Sequence, residues 1–207
     1  MSGSSNSGPH GGIAGINWLG VVSGLLMIAL PFLGPWWIGK AGEALEIALS
    51  PFNLSMSVVG QPISSNLVDL LLLAVAIGMV IAGVFMIVAS IFPRRWWSKH
   101  LIKYGATKPL WAVVGLIIFL IVGALLFNNV VAKMLPSLIG EQAGGMGVFV
   151  SFDLPYVIGT SYSSIKIGEV ASITAPITFS LTFAFWVAVA TSALGVAARI
   201  YHRRYSK

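Results

Sequence analysis

The chain has 207 residues, of which 57% are hydrophobic and 9% charged, with a mean hydropathy of +0.92. Soluble domains carry roughly 25% charged residues, and twelve cations with six acids cannot cover a soluble globule of this length, so that class is excluded. The absence of cysteine excludes disulfides, thiolate catalysis, iron–sulfur clusters and cysteine-based zinc sites. A pI near 9.8 leaves nucleic acid or an acidic membrane surface as partner until the charges are placed.

Residues 1–12 form a Ser/Gly-rich lead without Lys or Arg, expected to be cytoplasmic. Four apolar stretches follow at 13–37, 67–92, 110–132 and 177–198, each exceeding the ~20 residues that cross a hydrocarbon core. The first lacks the basic start of a cleaved signal and is read as a retained span, with Pro31 placed to kink its outer third. Small residues recur four apart within the spans: Gly20 and Gly24; Ala74, Gly78 and Ala82; Ala184, Ala188 and Ser192. Such stripes let helix backbones approach closely, either within one bundle or between copies.

The first outer segment, 38–66, opens with KAGEALEIALS, where Ala41, Leu45, Ala48 and Leu49 can share a helix face. A β-like alternation runs from Asn53 to Val59, and Asn53-Leu54-Ser55 is an N-glycosylation sequon. The inner connection, 93–109, sets Trp97, Leu101 and Tyr104 at helical spacing, predicting an interfacial helix from Pro93 to Gly105. Arg94, Arg95, Trp96, Trp97, Lys99, Lys103 and Tyr104 would anchor it in the headgroup layer. The second outer segment, 133–176, holds a Gly-rich stretch at 140–147 and strand-like runs at 148–154 and 162–173. Because an isolated hairpin is marginal in water, three strands drawn from both outer segments are expected to form one cap. The fold class expected is an all-α membrane protein, a four-helix transmembrane bundle with a small extracellular β-rich cap.

The charges divide by side. Arg94, Arg95, Lys99, Lys103 and Lys108 lie in the inner connection, and Arg199, Arg203, Arg204 and Lys207 in the tail at 199–207, with no acid among them. Lys40, Lys133 and Lys166 share the other side with Glu43, Glu46, Asp69, Glu141, Asp153 and Glu169. The positive-inside rule then puts both termini in the cytoplasm of a multi-pass cell-membrane protein. It also accounts for the pI through membrane lipids, without nucleic acid.

Sites for chemistry are sparse. Asp69 sits near the outer end of the second span, where a carboxylate favours a helix N-terminus; an ion site is the sharper alternative. His10, His100 and His202 all fall on the cytoplasmic side, away from any metal or haem position inside the bundle. Glu43 and Glu46 are read as a solvated face before a carboxylate pair, and Asn128 with Asn129 as interhelical hydrogen-bonding amides before a permeation site. No H-E-x-x-H, G-x-S-x-G or Walker-type loop occurs, so no catalytic residue, metal or cofactor is expected.

Four spans, cytoplasmic ends, a shorter first and a larger second outer segment resemble the tetraspanins, and less closely the claudins. The cysteine–cysteine–glycine signature and loop cysteines of those families are missing, so the resemblance carries over topology and no functional residue. It implies a non-enzymatic scaffold that self-associates laterally or groups partner membrane proteins. An accessory subunit of a larger membrane enzyme complex, such as a respiratory or oxygenase assembly, and an oligomeric large-pore channel are the alternatives.

Overall fold

The computed structural model describes residues 16–63, 65–131, 148–151, 154–167 and 171–205. It contains four helices: α1, Trp18–Ala29, extended by a 3-10 turn at Leu30–Phe32; α2, Asn66–Ile91; α3, Ser98–Leu126, continued by a π turn at Phe127–Val131; and α4, Phe183–Tyr205. They run up, down, up, down, each against two neighbours, with α4 closing on α1.

The side chains sort in the sense opposite to a soluble bundle. On α4 the buried positions are Ala184, Phe185, Ala188, Thr191, Ser192, Gly195, Ala198 and His202, a three-to-four spacing of mostly small residues. The outer faces instead carry large apolar groups such as Leu70, Ile77, Phe85, Ile118, Phe119 and Trp186. Large apolar groups facing outward on all the helices suit a bilayer, where lipid covers the perimeter, and the small residues inward on α4 let van der Waals packing hold it against its neighbours. Three helices, α2, α3 and α4, are long and apolar enough to cross, which points to a multi-pass integral membrane protein.

Helix boundaries differ from the sequence reading in three places. Among the described residues, the span expected at 13–37 has helix only from Trp18 to Phe32, and Trp37 already belongs to a strand. Gly34 turns the chain with φ +91°, and Trp36 then exchanges its backbone groups with Leu49 and Thr182. The span expected at 177–198 begins later, at Phe183, because the residues to Leu181 are paired in the sheet. The separate interfacial helix expected between Pro93 and Gly105 is instead the first part of α3, which passes through Gly105 and Pro109 without a break. At 1.5 Å per residue the helix from Ser98 to Val130 is roughly 50 Å long, well beyond a ~30 Å core, so its basic first turns extend past the apolar stretch.

Among the described residues seven strands form one antiparallel sheet: β1, Trp37–Ala41; β2, Leu45–Ser50; β3, Asn53–Val58; β4, Gln61–Ile63; β5, Val148–Ser151; β6, Gly159–Ile167; and β7, Ala171–Leu181. Their order is β4-β3-β2-β1-β7-β6-β5, so the α1–α2 and α3–α4 segments meet at the β1–β7 pair, with Trp37 opposite Leu181 and Ala41 opposite Ile177. The all-α expectation is thereby corrected to a mixed α/β architecture, with the sheet at the end of the bundle away from the α2–α3 turn. Asn53–Val58 is the strand its alternation predicted, whereas Leu45–Ser50, expected as helix, is also a strand. It turns back from β1 through Gly42, at φ +55°, and is paired on both sides. The run at 162–173 divides between β6 and β7, which form a hairpin. The Gly-rich stretch at 140–147 lies outside the described residues.

One sheet face carries Lys40, Ser55, Thr160, Tyr162, Thr178 and Ser180, all exposed. The other carries Ile47, Leu49, Phe179 and Leu181, which pack partly against the core. Trp37 lies on that second face, its ring over Gly39 and against Phe179, its Nε1 donating to Val157 O at 2.9 Å. Trp36 points the other way and is fully buried, edge-on to Phe52 at 5.5 Å and Phe185 at 6.4 Å. These two tryptophans tie the sheet to its flanking segment and to α4.

Candidate functional site

The small residues singled out in the sequence occupy two kinds of place. Gly20 and Gly24 lie where α1 crosses α2: a Cβ on Gly20 would strike Ser90, and one on Gly24 would come within 2.6 Å of Ile87 Cγ1 and 2.7 Å of Gly83 O. Gly83 returns the constraint, since its own Cβ would lie 2.8 Å from Gly24 O. Ala82, Ala184, Ala188 and Ser192 are likewise buried inside the bundle. Ala74 and Gly78 are not, and a Cβ on Gly78 would meet nothing within 4 Å. Three close-approach glycines escaped the sequence reading: Gly83, Gly105 against Ala82 O and Met86, and Gly195 against Ser23 and Ala106. Their small partners sit on neighbouring helices, so no spacing within one helix announces them.

Polar side chains join the helices toward the end bearing the α2–α3 turn. Asn17 caps α1, accepting from Gly20 N, while its backbone N–H donates to Ser90 O at 3.0 Å and its amide donates to Ala198 O at 2.9 Å. Ser23 Oγ donates to Thr191 O at 3.2 Å. Ser98 Oγ donates its one proton to Ala89 O at 2.8 Å, so it accepts from His202 Nε2 at 3.1 Å. His202 is buried, and its Nδ1 has no hydrogen-bond partner among the described residues. At the sheet end Asn128 makes a reciprocal amide pair with Leu154, both bonds 2.9 Å, fixing the π turn to the segment that leads into β6. Asn129 folds back onto Leu125 O.

The residues expected as a membrane-surface anchor divide as well. Arg94, Arg95 and Trp96 are exposed in the α2–α3 turn, and Trp97 is half-buried beside Phe92. Tyr104 packs near Phe85 and lies under the Lys108 ammonium, 4.7 Å from its ring centre. Lys99 and Lys103 turn toward α4, where with Arg199, His202 and Arg203 they line a cavity of about 180 Å³. A furrow of about 220 Å³ shares both arginines and is otherwise lined by Ala106, Thr107, Leu110, Val196 and Ile200. His100 is exposed, and His10 lies outside the described residues.

A larger groove, about 550 Å³, runs along α2 beside the 3-10 turn and β3, lined by Phe32, Phe52, Asn53, Asp69, Leu73 and Ile77 among others. Asp69 is in the first turn of α2, where the helix dipole favours a carboxylate. Asn53 is exposed at the first position of β3. Glu46 pairs across the strands with Lys40 at 3.2 Å, and Glu43 is exposed in the β1–β2 turn, so the two acids are not brought together as a carboxylate pair. Among the described residues no group of three His, Asp or Glu is arranged to hold a metal.

No known family, no curated protein and no solved structure matches the chain.

Proposed function

We propose that the protein is a non-enzymatic membrane organiser that associates laterally, with itself or with other membrane proteins, through the outer face of α2. One observation carries this reading. The other small residues of the sequence stripes are used inside the bundle, while Ala74 and Gly78 leave an open notch on α2 beside the groove that reaches Asn53. A notch of small residues flanked by Leu70, Leu71 and Ile77 suits a second helix better than disordered acyl chains.

The basic end lies in the cytoplasm and the sheet outside, on the strength of the cation distribution. Where the host glycosylates, Asn53 is the acceptor. The experiment that tests association is the mass and composition of the particle extracted in native nanodiscs, with cysteine labelling in intact cells fixing its orientation. Homomeric particles larger than one chain, and outside labelling of Tyr162→Cys but not of Trp96→Cys, are expected. A monodisperse monomer without partners overturns the organiser, and the reverse labelling overturns the orientation.

An accessory subunit of a larger complex is the second reading. It is favoured by Val58 and Ile63, exposed on the apolar side of the sheet next to half-buried Met56. Co-purification with catalytic subunits at fixed stoichiometry would establish it in place of self-association.

A further inference from the structure

The groove of about 550 Å³ along α2 is a different surface from the notch, since neither Ala74 nor Gly78 lines it. Helices α1 and α2 press together where Gly24 meets Gly83. Between that crossing and the sheet the groove opens, with Pro31 and Phe32 of the 3-10 turn on one side and α2 from Asp69 to Ile81 on the other. At 1.5 Å per residue the α2 wall is roughly 18 Å long, slightly more than one leaflet's share of a ~30 Å hydrocarbon core.

The polar groups of the groove are confined to one end. Asp69, in the first turn of α2, and Asn53, at the start of β3, both lie toward the sheet, and every other lining residue is apolar, down to Val80 and Ile81. Among the described residues the Asp69 carboxylate takes part in no ion pair and accepts no hydrogen bond. Of the lysines on this side of the chain, Lys40 is held by Glu46 at 3.2 Å, Lys166 belongs to β6 near the opposite edge of the sheet, and Lys133 lies outside the described residues.

This division selects the occupant. A wholly apolar chain leaves the carboxylate unpaired at the edge of the hydrocarbon, and a soluble cation leaves the long apolar wall unused. A helix of a second copy brings no counter-charge, because none of the four apolar stretches contains Lys or Arg. The complement is an amphiphile with a cation at one end and a tail of leaflet length at the other.

We propose that the groove holds a phospholipid with a primary-amine headgroup from the leaflet on the sheet side, its ammonium at Asp69, its phosphate near the Asn53 amide and one acyl chain along Leu73, Ala76 and Val80. A primary ammonium donates N–H bonds to a carboxylate, and such charge-assisted bonds are the strong ones. The quaternary ammonium of a choline headgroup has no N–H to donate.

The test is native mass spectrometry of the full chain, made in a host that does not glycosylate and released from nanodiscs of phosphatidylethanolamine and phosphatidylcholine with matched acyl chains. The wild type is expected to retain phosphatidylethanolamine over phosphatidylcholine by about fivefold, the upper end for an exposed ion pair. Asp69→Asn, an isosteric change at an exposed position, is expected to abolish the preference while the total lipid retained stays the same. A preference that survives Asp69→Asn, or is absent from the wild type, overturns the proposal. Glu43→Gln, an exposed acid outside the groove, should leave the preference intact, and an equal loss there would make the attraction diffuse and overturn the site. Lys133→Gln should also leave it intact, whereas a gain would show the carboxylate already held by the chain and overturn the headgroup assignment. Ala76→Phe enlarges the smallest lining residue and leaves Asp69 in place. Loss of retained lipid from that variant supports the proposal. Undiminished lipid with a particle mass shifted toward monomer would assign the groove to a second copy and overturn it.

Discussion

Glycine residues set how near the helices lie to one another, and two glycines in similar sequence contexts behave differently. Gly24 and Gly78 both have a small residue four positions earlier, Gly20 and Ala74. Gly24 is pressed onto Gly83 and Ile87, whereas Gly78 faces open space. Gly24→Leu is therefore expected to destabilise the chain by about 3 kcal/mol or more, since the obstructing atoms include backbone that cannot rotate away. Gly78→Leu should leave the thermal midpoint in detergent near the wild-type value and shift the particle mass toward monomer. A wild-type melting curve for Gly24→Leu would contradict the packing at the α1–α2 crossing. An unchanged mass for Gly78→Leu would remove the notch from the association surface. The spacing of small residues was legible in the sequence, but not their partners. Close approach in a bundle is a relation between two helices, and Gly83 announces nothing along its own.

Elements were legible where one periodicity dominated and obscure where pairing overrode it. Asn53–Val58 alternates cleanly and is a strand, and α2 is apolar throughout and is a helix. KAGEALEIALS is rich in helix formers, yet Leu45–Ser50 lies between β1 and β3 and takes its hydrogen bonds from both, more than an isolated helix of that length would gain. The only local sign against helix is Gly42, whose φ of +55° makes the turn from β1 into β2. Gly42→Ala should cost about 1 kcal/mol, the strain of an L-residue in the left-handed region. Hydrogen exchange should speed up in the β1–β2 hairpin and remain unchanged in α4. Lys40→Met, by contrast, removes an exposed cross-strand pair and should change stability by less than about 1 kcal/mol. The continuous α3 was obscured by Gly105 and Pro109, which ordinarily end helices. Here Gly105 is retained for close approach to α2, and Pro109 is carried by a helix whose neighbours hold it on both sides. The basic cavity between α3 and α4 could not be read at all, because Lys103 and Arg199 are brought together only by the α3–α4 contact.

Across the whole molecule the β1–β7 pair is the seam on which the architecture rests. It joins the segment that leaves α1 to the segment that enters α4, so the two parts of the sheet form one body with the bundle beneath. Lys40 and Thr178 are partners in that register and both exposed. Opposed antiparallel residues have Cα atoms about 4.5–5.5 Å apart, within the range a disulfide spans. In a chain with no cysteine of its own, Lys40→Cys with Thr178→Cys should oxidise to a single intramolecular bond, seen as a mobility shift on a non-reducing gel. The offset pair Lys40→Cys with Ser180→Cys should not. Efficient bonding of the offset pair alone would show that the register is shifted by two residues.

The same seam imposes an order on biogenesis. β1 emerges from the ribosome soon after α1, but its partner β7 is made only after α2, α3 and the five strands β2 to β6. Until then the meander of β1 to β4 presents an unpaired edge on β1, the kind of strand edge that templates aggregation. Contacts so distant in sequence also form slowly. During synthesis that edge must either be shielded by a chaperone or be sheltered at the membrane surface, and the last strand to appear is the one that closes it. Truncation between residues 131 and 171 therefore leaves a chain whose helices α1 to α3 are present but whose sheet is permanently open at its centre.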